Sequence, residues 1–447
     1  MSFNLSRAIT DTPSTVQTGS LSNLVNLLQG GKVTTWNGSA QGNFTLGSWP
    51  RLSMSHTRNR IEYDLMTRLD DRQTYAGTLQ YGVPLNTRFL PKTVDSNYSY
   101  SRYEVKFNSL AARKRPGNIN TEELSQTLGL RLAFTPWEGA SLNPNYSISK
   151  VTERRSDFTG ALEKQLRYPK SMNQTAGFSS NFKLTRWLNP QVNYSIDVLE
   201  NNILTVSTFV VNGSTHVFDI GDIKTVNRSA NGSVSLPITI GEIFPKFRLL
   251  RSMNIVSGYQ VQDGDVWNNV ERGYQTNLGL WVRTPLRPAS PAAQRMNLTL
   301  RDTFNSTQRW SPLEAYDIRG RLAAFKTFSI SNNYVRSIQR SDVTGTLSKT
   351  LSTTFPDLVA SISQLERLWY SERWMSNSQM NFRFAAHKTE NVASSIATDQ
   401  SLGVDLRTIV RKRFDTLLSY NRRTAQNKDL RVNANTSNSN HEDATAQ

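Results

Sequence analysis

The sequence predicts an all-β fold: an antiparallel transmembrane β-barrel, or a large part of one, in which about twenty amphipathic strands are joined by hairpins and loops. Three observations predict this class. Apolar and polar residues alternate with a period of two over many segments, as they do when successive side chains point to opposite faces of a strand. Clusters of Gly, Pro, Asn and Asp separate these segments, and Trp and Tyr residues lie beside the turns.

The composition narrows the class of protein. The 447 residues include no Cys, which excludes disulfides, thiolate metal sites and a Cys nucleophile. Hydrophobic residues make up 37% of the chain but are spread out, so no segment approaches the ~20 consecutive apolar residues of a transmembrane helix. Residues 1–30 lack the basic start and apolar core of a secretory signal. We therefore expect either a protein that stays where it is made or an internal piece of a longer one.

The charge indicates an anionic partner. A formal net charge of +17 and a pI near 10.0 are typical of proteins that meet nucleic acid, anionic lipid or an acidic substrate. The 52 Lys and Arg residues are scattered rather than concentrated in one patch. We expect most of them at solvated loops and strand ends, with membrane lipid and not nucleic acid as the partner.

The pattern divides the chain into three parts. Residues 1–40 are predicted to be an N-terminal segment, either a loop or a plug, with one short helical pattern over residues 21–28. Residues 41–425 carry the barrel strands, and residues 426–447 form a flexible polar tail. Most strands are expected to be ~9–12 residues long, the length that spans a bilayer at a tilt. The alternation is clearest at residues 61–69, 127–135, 178–185, 192–198, 379–386 and 402–410.

Two segments do not fit the pattern simply. Pro237 lies within the run "SVSLPITI", and because proline cannot donate to a sheet ladder it predicts a strand end or a bulge. Residues 355–374 could form a helix after Pro356, since apolar residues recur there at helical spacing. We favour a strand, a turn and a second strand for this segment.

A repeated hairpin places aromatic residues at the strand ends. The segment "PWEGASLNPNYSI" at 136–148 returns in shorter form as "RWLNPQVNYSI" at 186–196. Each copy has a Trp, an Asn-Pro pair predicted to form the turn, and a Tyr predicted to open the next strand. Amphipathic rings at both margins of an apolar band form the aromatic girdle of a membrane barrel. The predicted membrane-interface aromatics are Trp137, Tyr146, Trp187, Tyr194, Trp310 and Trp374.

The face opposite the apolar stripe is predicted to be wet. It carries Ser, Thr, Asn and Gly with scattered charges, which suits a hydrated lumen. Four basic residues are predicted to face the lumen and to set its electrostatics: Arg131, Lys183, Arg383 and Arg407. The alternative is a soluble β-rich protein whose apolar faces meet in a dry core and whose polar faces form the outer surface.

Several segments resemble the barrel hairpins of the SprA-type cell-surface proteins. These are "FTPWEGASLNPNYSISK", "KLTRWLNPQVNYSID", "GEIFPKFRLLRSMNIVSGY" and the run from Thr353 to Phe384. The resemblance covers residues 125–425 and implies an outer-membrane barrel of the type 9 secretion translocon. It also implies a bacterial outer-membrane location, a secreted protein cargo and other envelope secretion components as partners. Because the chain is shorter than a family member and lacks a leader, the resemblance implies a fragment.

Motifs for chemistry are missing from the sequence. The four His residues show no metal-ligand spacing, and no nucleophile elbow or phosphate-binding loop occurs. The segment "QDGDVW" at 262–267 does not match a calcium loop and is predicted to be a plain turn. Glu62 with Asp64, and Glu122 with Glu123, are interpreted as lumen or loop charges. We therefore expect no catalytic residue, no metal and no cofactor.

Two functions remain open at this point. The first is a protein-transport conduit in the outer membrane, with a hydrated lumen. The second is a soluble structural or binding protein, such as an adhesin, a fibre or a basic scaffold that binds polyanions. An enzymatic barrel has no supporting motif.

Overall fold

The computed structural model describes most of the chain: residues 2–12, 31–45, 50–64, 67–83, 90–113, 119–159, 162–202, 209–211, 214–216, 223–276, 282–288, 291–368, 371–392, 394–411, 413–430 and 436–446. Strands dominate these residues. They are β1 (Ser2–Thr12), β2 (Gly31–Phe44), β3 (Arg51–Tyr63), β4 (Arg68–Gly82), β5 (Thr93–Phe107), β6 (Asn120–Ala133), β7 (Ala140–Thr159), β8 (Leu162–Phe182), β9 (Gln191–Asn202), β10 (Phe209–Val211), β11 (Ser214–His216), β12 (Ile223–Thr239), β13 (Asn254–Glu271), β14 (Gln294–Trp310), β15 (Ser329–Val343), β16 (Thr346–Ser363), β17 (Met375–Asn391), β18 (Ser395–Val410), β19 (Phe414–Asp429) and β20 (Thr436–Ala446).

Eighteen of these strands form one antiparallel sheet. Each strand of the sheet pairs with the next one along the chain, as in β1 with β2 and β19 with β20. The short hairpin β10–β11 lies outside the sheet, and β9 pairs directly with β12. The prediction of an all-β fold of about twenty amphipathic antiparallel strands is confirmed.

The strands are longer than predicted. Those of the sheet have 11 to 21 residues, whereas a strand that only crosses a bilayer needs about 9–11. The extra length has a physical cause in the register: the hydrogen-bonded ladder continues past the apolar part of each strand into a charged part. The sequence pattern showed the apolar part and therefore gave the shorter length.

Both ends of the chain differ from the predicted boundaries. Ser2–Thr12 and Gly31–Phe44 are paired strands of the sheet, where a loop or plug was predicted for residues 1–40. Thr436–Ala446 pairs with β19, where a flexible tail was predicted for residues 426–447. These end strands are rich in Ser, Thr and Asn, so backbone pairing and not an apolar stripe places them in the sheet. The helical pattern over residues 21–28 lies outside the described residues.

Four prolines of the described residues lie in strands, each at a register shift or, as for Pro144 beside β6, beyond the last ladder pair with one neighbouring strand. Pro237 is two residues from the end of β12, beyond the last ladder pair with β9, which agrees with the predicted strand end. Pro356 lies in the register shift of β16, and Pro169 lies opposite the shift in β7. Pro144 is in β7 opposite Phe178, so the predicted Asn-Pro turn of the first repeat is wrong, whereas Pro190 does precede β9. Each site is one where the missing N–H is tolerated.

Helices are short in this structure. Leu110–Arg113, Ile240–Ile243 and Leu365–Leu368 are single turns. No helix within the described ranges has the length and apolar character needed to cross a membrane. The segment 355–374 continues β16 to Ser363 and then forms the turn Leu365–Leu368 before β17, close to the favoured arrangement of strand, turn and strand.

Candidate functional site

The register assigns every strand residue to one of two faces. Residues directly opposite each other in an antiparallel ladder point to the same side of the sheet. Tyr98 lies opposite Leu128, and Leu128 lies opposite Ile148. Their chain neighbours Thr127 and Ser149 form the row on the other side, where the two hydroxyls are hydrogen-bonded at 3.0 Å. We call the first side the apolar face and the second the polar face.

Large apolar side chains of the apolar face are exposed. Leu130 keeps 40% of its surface accessible, and Phe182 and Phe384 are half-buried. Exposed residues of this face occur on strands all around the sheet: Leu79, Tyr98, Leu128, Phe178, Val234, Tyr259, Phe304, Met380, Phe382, Leu418 and Tyr420. An apolar surface of this extent indicates contact with a membrane or a partner. A dry core between two polar surfaces, as the soluble alternative requires, would bury these side chains.

Four of the six predicted interface aromatics lie at one end of the sheet. Trp137, Trp187, Trp310 and Trp374 stand in or beside the connections that follow β6, β8, β14 and β16, and in this meander those connections share one end. We call it the tryptophan end. Trp137 stacks on Phe182 at 5.6 Å, and Arg411 lies 4.8 Å from the ring centre of Trp374. The indole N–H of Trp310 donates to the carbonyl of Leu249 at 2.7 Å.

The two tyrosines of the set lie farther along their strands. Tyr194 is the fourth residue of β9 and packs 6.2 Å from Phe178. Tyr146 is the seventh residue of β7, opposite Leu130, so it does not open its strand as predicted. Both belong to the apolar face. The interface role of all six aromatics stays a prediction.

Charged residues replace the apolar ones on the same face toward the opposite end. We call this part the charged rim. On β5 the apolar part runs from Thr93 to Tyr100, and Arg102 begins the rim. Eight residues at ~3.4 Å each and a tilt of ~40° give a height of about 21 Å, close to the ~25 Å apolar band of a membrane barrel. The rim includes Arg58, Asp71, Arg102, Glu122, Lys150, Glu200, Arg228, Asp263, Asp302, Lys388 and Arg422.

Part of the rim is covered by the connection between β13 and β14. Its residue Arg283 donates to Asp263 at 2.8 Å and to Asp302 at 2.6 Å. The pKa of Arg283 is raised because Asp263 accepts its hydrogen bond, with Asp302 adding to the effect. Beneath the connection, Arg228 forms a buried two-pronged pair with Asp265. We call these residues the covered cluster.

Apolar residues complete the covered cluster. Val282 of the connection packs with a set of buried strand residues: Ile196, Val198, Val226, Ala230, Trp267 and Val270. The indole N–H of Trp267 donates to Asp265 at 2.8 Å. The turn predicted for "QDGDVW" is therefore wrong: these residues lie inside β13. Aspartates two apart in a strand share a face, and the register places Asp263, Asp265 and Trp267 on one face. This period of two is the signal that could have revealed the strand.

The polar face carries a recurring glycine–asparagine pair. Asn97 lies opposite Gly129, and a Cβ on that glycine would stand 2.1 Å from the Asn97 carboxamide oxygen. Asn305 lies in the same way over Gly258, at 2.3 Å. The pairs Asn145 with Gly177 and Asn421 with Gly403 share the arrangement. Each Asn carboxamide lies over the backbone of the glycine opposite it, where there is no side chain. The polar face is therefore lined with hydrogen-bonding groups.

The structure places three of the four predicted lumen charges on the polar face. Arg131 lies opposite Asn145, and Arg383 lies opposite Gly403. Arg407 is on the same face and forms an exposed ion pair with Asp415, with Nε at 3.1 Å. Lys183 is in the connection after β8, beside Gly139. The four are distributed around the sheet and do not form one cluster, and their lumen role stays a prediction.

The acidic pairs singled out in the sequence are ion-paired. Glu122 bonds Arg102 on the apolar face, and Glu123 bonds Lys170 on the other side of the strand. Glu62 pairs with Arg60. Because Glu122 and Glu123 point to opposite faces, they cannot act together as an acid and a base. Within the described ranges, no His, Asp or Glu residues are grouped to hold a metal ion.

Comparisons with known proteins give fold-level matches only. No family model and no curated protein matches the sequence. Three solved structures with a similar fold are the copper transporter OprC, the ferric-catecholate import receptor Fiu from E. coli K12 and the siderophore receptor PiuA from Acinetobacter baumannii. Each is 8% identical, with TM-scores of 0.36, 0.35 and 0.34, and the alignments cover 95%, 88% and 94% of this chain and 69%, 72% and 79% of theirs.

These matches correct one prediction. The resemblance to the SprA-type proteins is wrong, because the structures found are transporters and import receptors and the sheet has eighteen strands. The predicted all-β class is confirmed by the eighteen-stranded sheet itself, and the bacterial outer membrane stays the expected location. The transport conduit remains a prediction, without the type 9 secretion system.

Proposed function

We propose that this chain is an outer-membrane β-barrel whose polar face lines a hydrated conduit for small polar solutes. The observation that carries the proposal is the division of the sheet into two faces. One face exposes an apolar band about 21 Å high, which suits the hydrocarbon core of a bilayer. The other exposes Ser, Thr, Asn and Gly, which suit water.

If these eighteen strands close on one another, their number favours small solutes over protein cargo. Barrels of about 16–18 strands leave an aqueous channel, whereas wider barrels are needed for a large plugged lumen. A meander with an even number of strands brings its first and last members antiparallel. Strands β1 and β20 have 11 residues each, so pairing between them would close the barrel.

The charges on the polar face would set the selectivity of the conduit. Arg131 and Arg383 both belong to that face, and basic side chains beside a water-filled path attract anions. Asp95 lies opposite Arg131 in the ladder, so the field there is mixed. We expect a modest anion preference and not strict selection.

Conductance across a planar bilayer tests the conduit. The refolded protein should give discrete, long-lived steps of current in potassium chloride. A preparation with β-type circular dichroism that inserts into vesicles but gives no current and no uptake of small sugars would contradict the proposal. A preparation that stays monodisperse without detergent or lipid would instead favour the soluble alternative.

Charge reversal tests the lining. Arg131→Glu and Arg383→Glu should shift the reversal potential in a salt gradient toward cation preference. The matched control is Arg422→Glu, which changes the same charge on the apolar face. If Arg422→Glu shifts the potential as much as the other two, the face assignment is wrong.

Cysteine cross-linking tests closure, since the chain has no native Cys. A Cys at Ile9 combined with single Cys residues along β20 should form a disulfide at one or two neighbouring positions. The positive control is Ser257→Cys with Ser306→Cys, because these hydroxyls lie 3.1 Å apart on paired strands. Failure of every β20 position while the control pair oxidises would show an open sheet.

A further inference from the structure

A second site lies on the outside of the wall, at the charged rim. A cavity of about 500 Å³ opens between β7, β8, β9, β12 and the first residues of the connection after β13. This volume is within the ~300–1,000 Å³ of typical small-molecule sites. The site lies on the opposite side of the sheet from the polar face, so it is independent of the proposed conduit.

Three side chains of the cavity carry oxygens that lack hydrogen bonds. They are Oε1 of Glu200, Oδ1 of Asn202 and Oγ1 of Thr276. Glu200 and Thr276 are 5% and 4% exposed. Buried polar groups are nearly always hydrogen-bonded, and an unpaired one is costly. Three such oxygens beside one cavity indicate a ligand that supplies hydrogen-bond donors.

The positive charges around the cavity determine which hydrogen-bond donors a ligand can carry. Lys224 is 3% exposed and donates to the second oxygen of Glu200 at 2.7 Å. Lys150 and Arg272 also line the cavity. One carboxylate therefore stands among three positive groups, so an ammonium or guanidinium ligand would be repelled. Hydroxyl groups can donate to the three oxygens and can also accept from Lys150.

We infer that this cavity binds a saccharide, either neutral or acidic, through its hydroxyl groups. Glu200, Asn202 and Thr276 hold the hydroxyls, and Lys150 attracts a carboxylate on the sugar. The position of the cavity supports this class of ligand, because the rim begins where the apolar band ends. At that height the cavity is open to polar ligands from the aqueous side.

Binding of three monosaccharide probes to the detergent-solubilised full chain tests the inference. Glucuronate, glucose and glucosamine have similar size but carry a negative, a neutral and a positive group. Titration calorimetry and saturation-transfer NMR should rank glucuronate first, glucose second and glucosamine last. Binding of none of the three, or strongest binding of glucosamine, would overturn the inference.

Two variants assign the binding to this cavity. Thr276→Val removes an unpaired hydroxyl without exposing a charge, and it should weaken glucose and glucuronate about three- to tenfold. Lys150→Glu should weaken glucuronate tenfold or more and change glucose less than threefold. The matched control is Thr225→Val on the neighbouring polar-face position of β12, which should bind as the wild type does. Unchanged binding in both cavity variants would place the sugar elsewhere and refute the site.

The saccharide-binding experiment and the conductance experiment can fail independently of each other. Sugar binding in micelles requires no open lumen, and Thr276→Val should leave single-channel conductance unchanged. Loss of conductance in this variant would mean that the connection after β13 reaches the lumen, which contradicts its assignment to the outer wall.

Discussion

The buried ion pair of the covered cluster is expected to stabilise the connection after β13 against the wall. Side chains of Arg228 and Asp265 are 2% and 0% exposed. Arg228 also donates to the carbonyls of Val282 and Thr284 at 3.2 and 3.0 Å. Arg228→Met would leave the Asp265 carboxylate buried with the Trp267 N–H as its one remaining side-chain donor in this cluster.

The magnitude follows from burial. Removal of one partner from a buried ion pair costs about 3–5 kcal/mol, because the other charge stays desolvated. Asp265→Leu should cost a similar amount, since Arg228 then keeps the two carbonyl acceptors alone. The double variant removes both charges, so it should be less destabilised than the sum of the singles by about 2–3 kcal/mol.

The free energy of unfolding of the wild type, the two single variants and the double variant is measured by urea unfolding in lipid vesicles, followed by Trp fluorescence. The matched control is Arg407→Met, which breaks a pair with Asp415 that is exposed on the polar face, and it should leave the midpoint unchanged. A loss below ~1 kcal/mol for Arg228→Met, or additive single changes, would refute the burial of this pair. Equal losses for Arg228→Met and Arg407→Met would refute the contrast between the two sites.

Two further predictions test the faces of the sheet. Leu130→Arg should destabilise the protein in vesicles by about 2–4 kcal/mol, as expected for a cation facing the hydrocarbon core, while Thr127→Arg on the polar face should be tolerated; equal effects in the same unfolding assay would contradict the assignment. Gly129→Ala should cost about 1–3 kcal/mol because its Cβ would meet the Asn97 amide, and Asn97→Ala in the same chain should restore most of the loss. No rescue in the double variant would show that Asn97 does not lie over Gly129.

Local pattern predicted the strands well because alternation is a property of each strand by itself. The apolar residues of β6, from Leu128 to Leu132, and those of β17, from Met380 to Phe384, lie on one face as their period of two requires. Turn residues also marked most connections. Pro144 shows the limit of this signal, since the same Asn-Pro pair lies in the connection before β9 in one repeat and within β7 in the other.

To predict at which end of the sheet the tryptophans lie, one needs the number of strands between them as well as the local sequence pattern. Sequence placed Trp137 and Trp187 beside turns, where the structure has them. That they share one end with Trp310 and Trp374 depends on the parity of strands between them. Both β10 and β11 lie outside the sheet, and removal of two strands leaves the parity unchanged. A correct strand count would therefore have predicted one tryptophan end and not two aromatic margins.

Neither the covered cluster nor the cavity lined by Glu200, Asn202 and Thr276 could be predicted from the local sequence pattern. Arg283 reaches Asp263 and Asp302 across two strands, and Lys224 meets Glu200 across another pair. Such contacts depend on the register and on how a connection folds back over the wall. Sequence shows that Asp263 and Asp265 can share a face, but it does not show which cation covers them. The glycine–asparagine pairs have the same limit, since Asn97 and Gly129 meet only through the ladder.

The change of character along each strand explains why the apolar pattern ends before the strand does. On β5 the apolar face carries Tyr98 and Tyr100 and then Arg102, while the ladder with β6 continues to Val105. Backbone hydrogen bonds between strands form in both lipid and water, whereas the outward side chains must be apolar in lipid and polar in water. In the proposed membrane barrel, the apolar part would face hydrocarbon, and the charged part of the same strand would face water or headgroups. In the proposed barrel this division would set the depth of the sheet in the bilayer, with the ion-paired rim beyond the hydrocarbon.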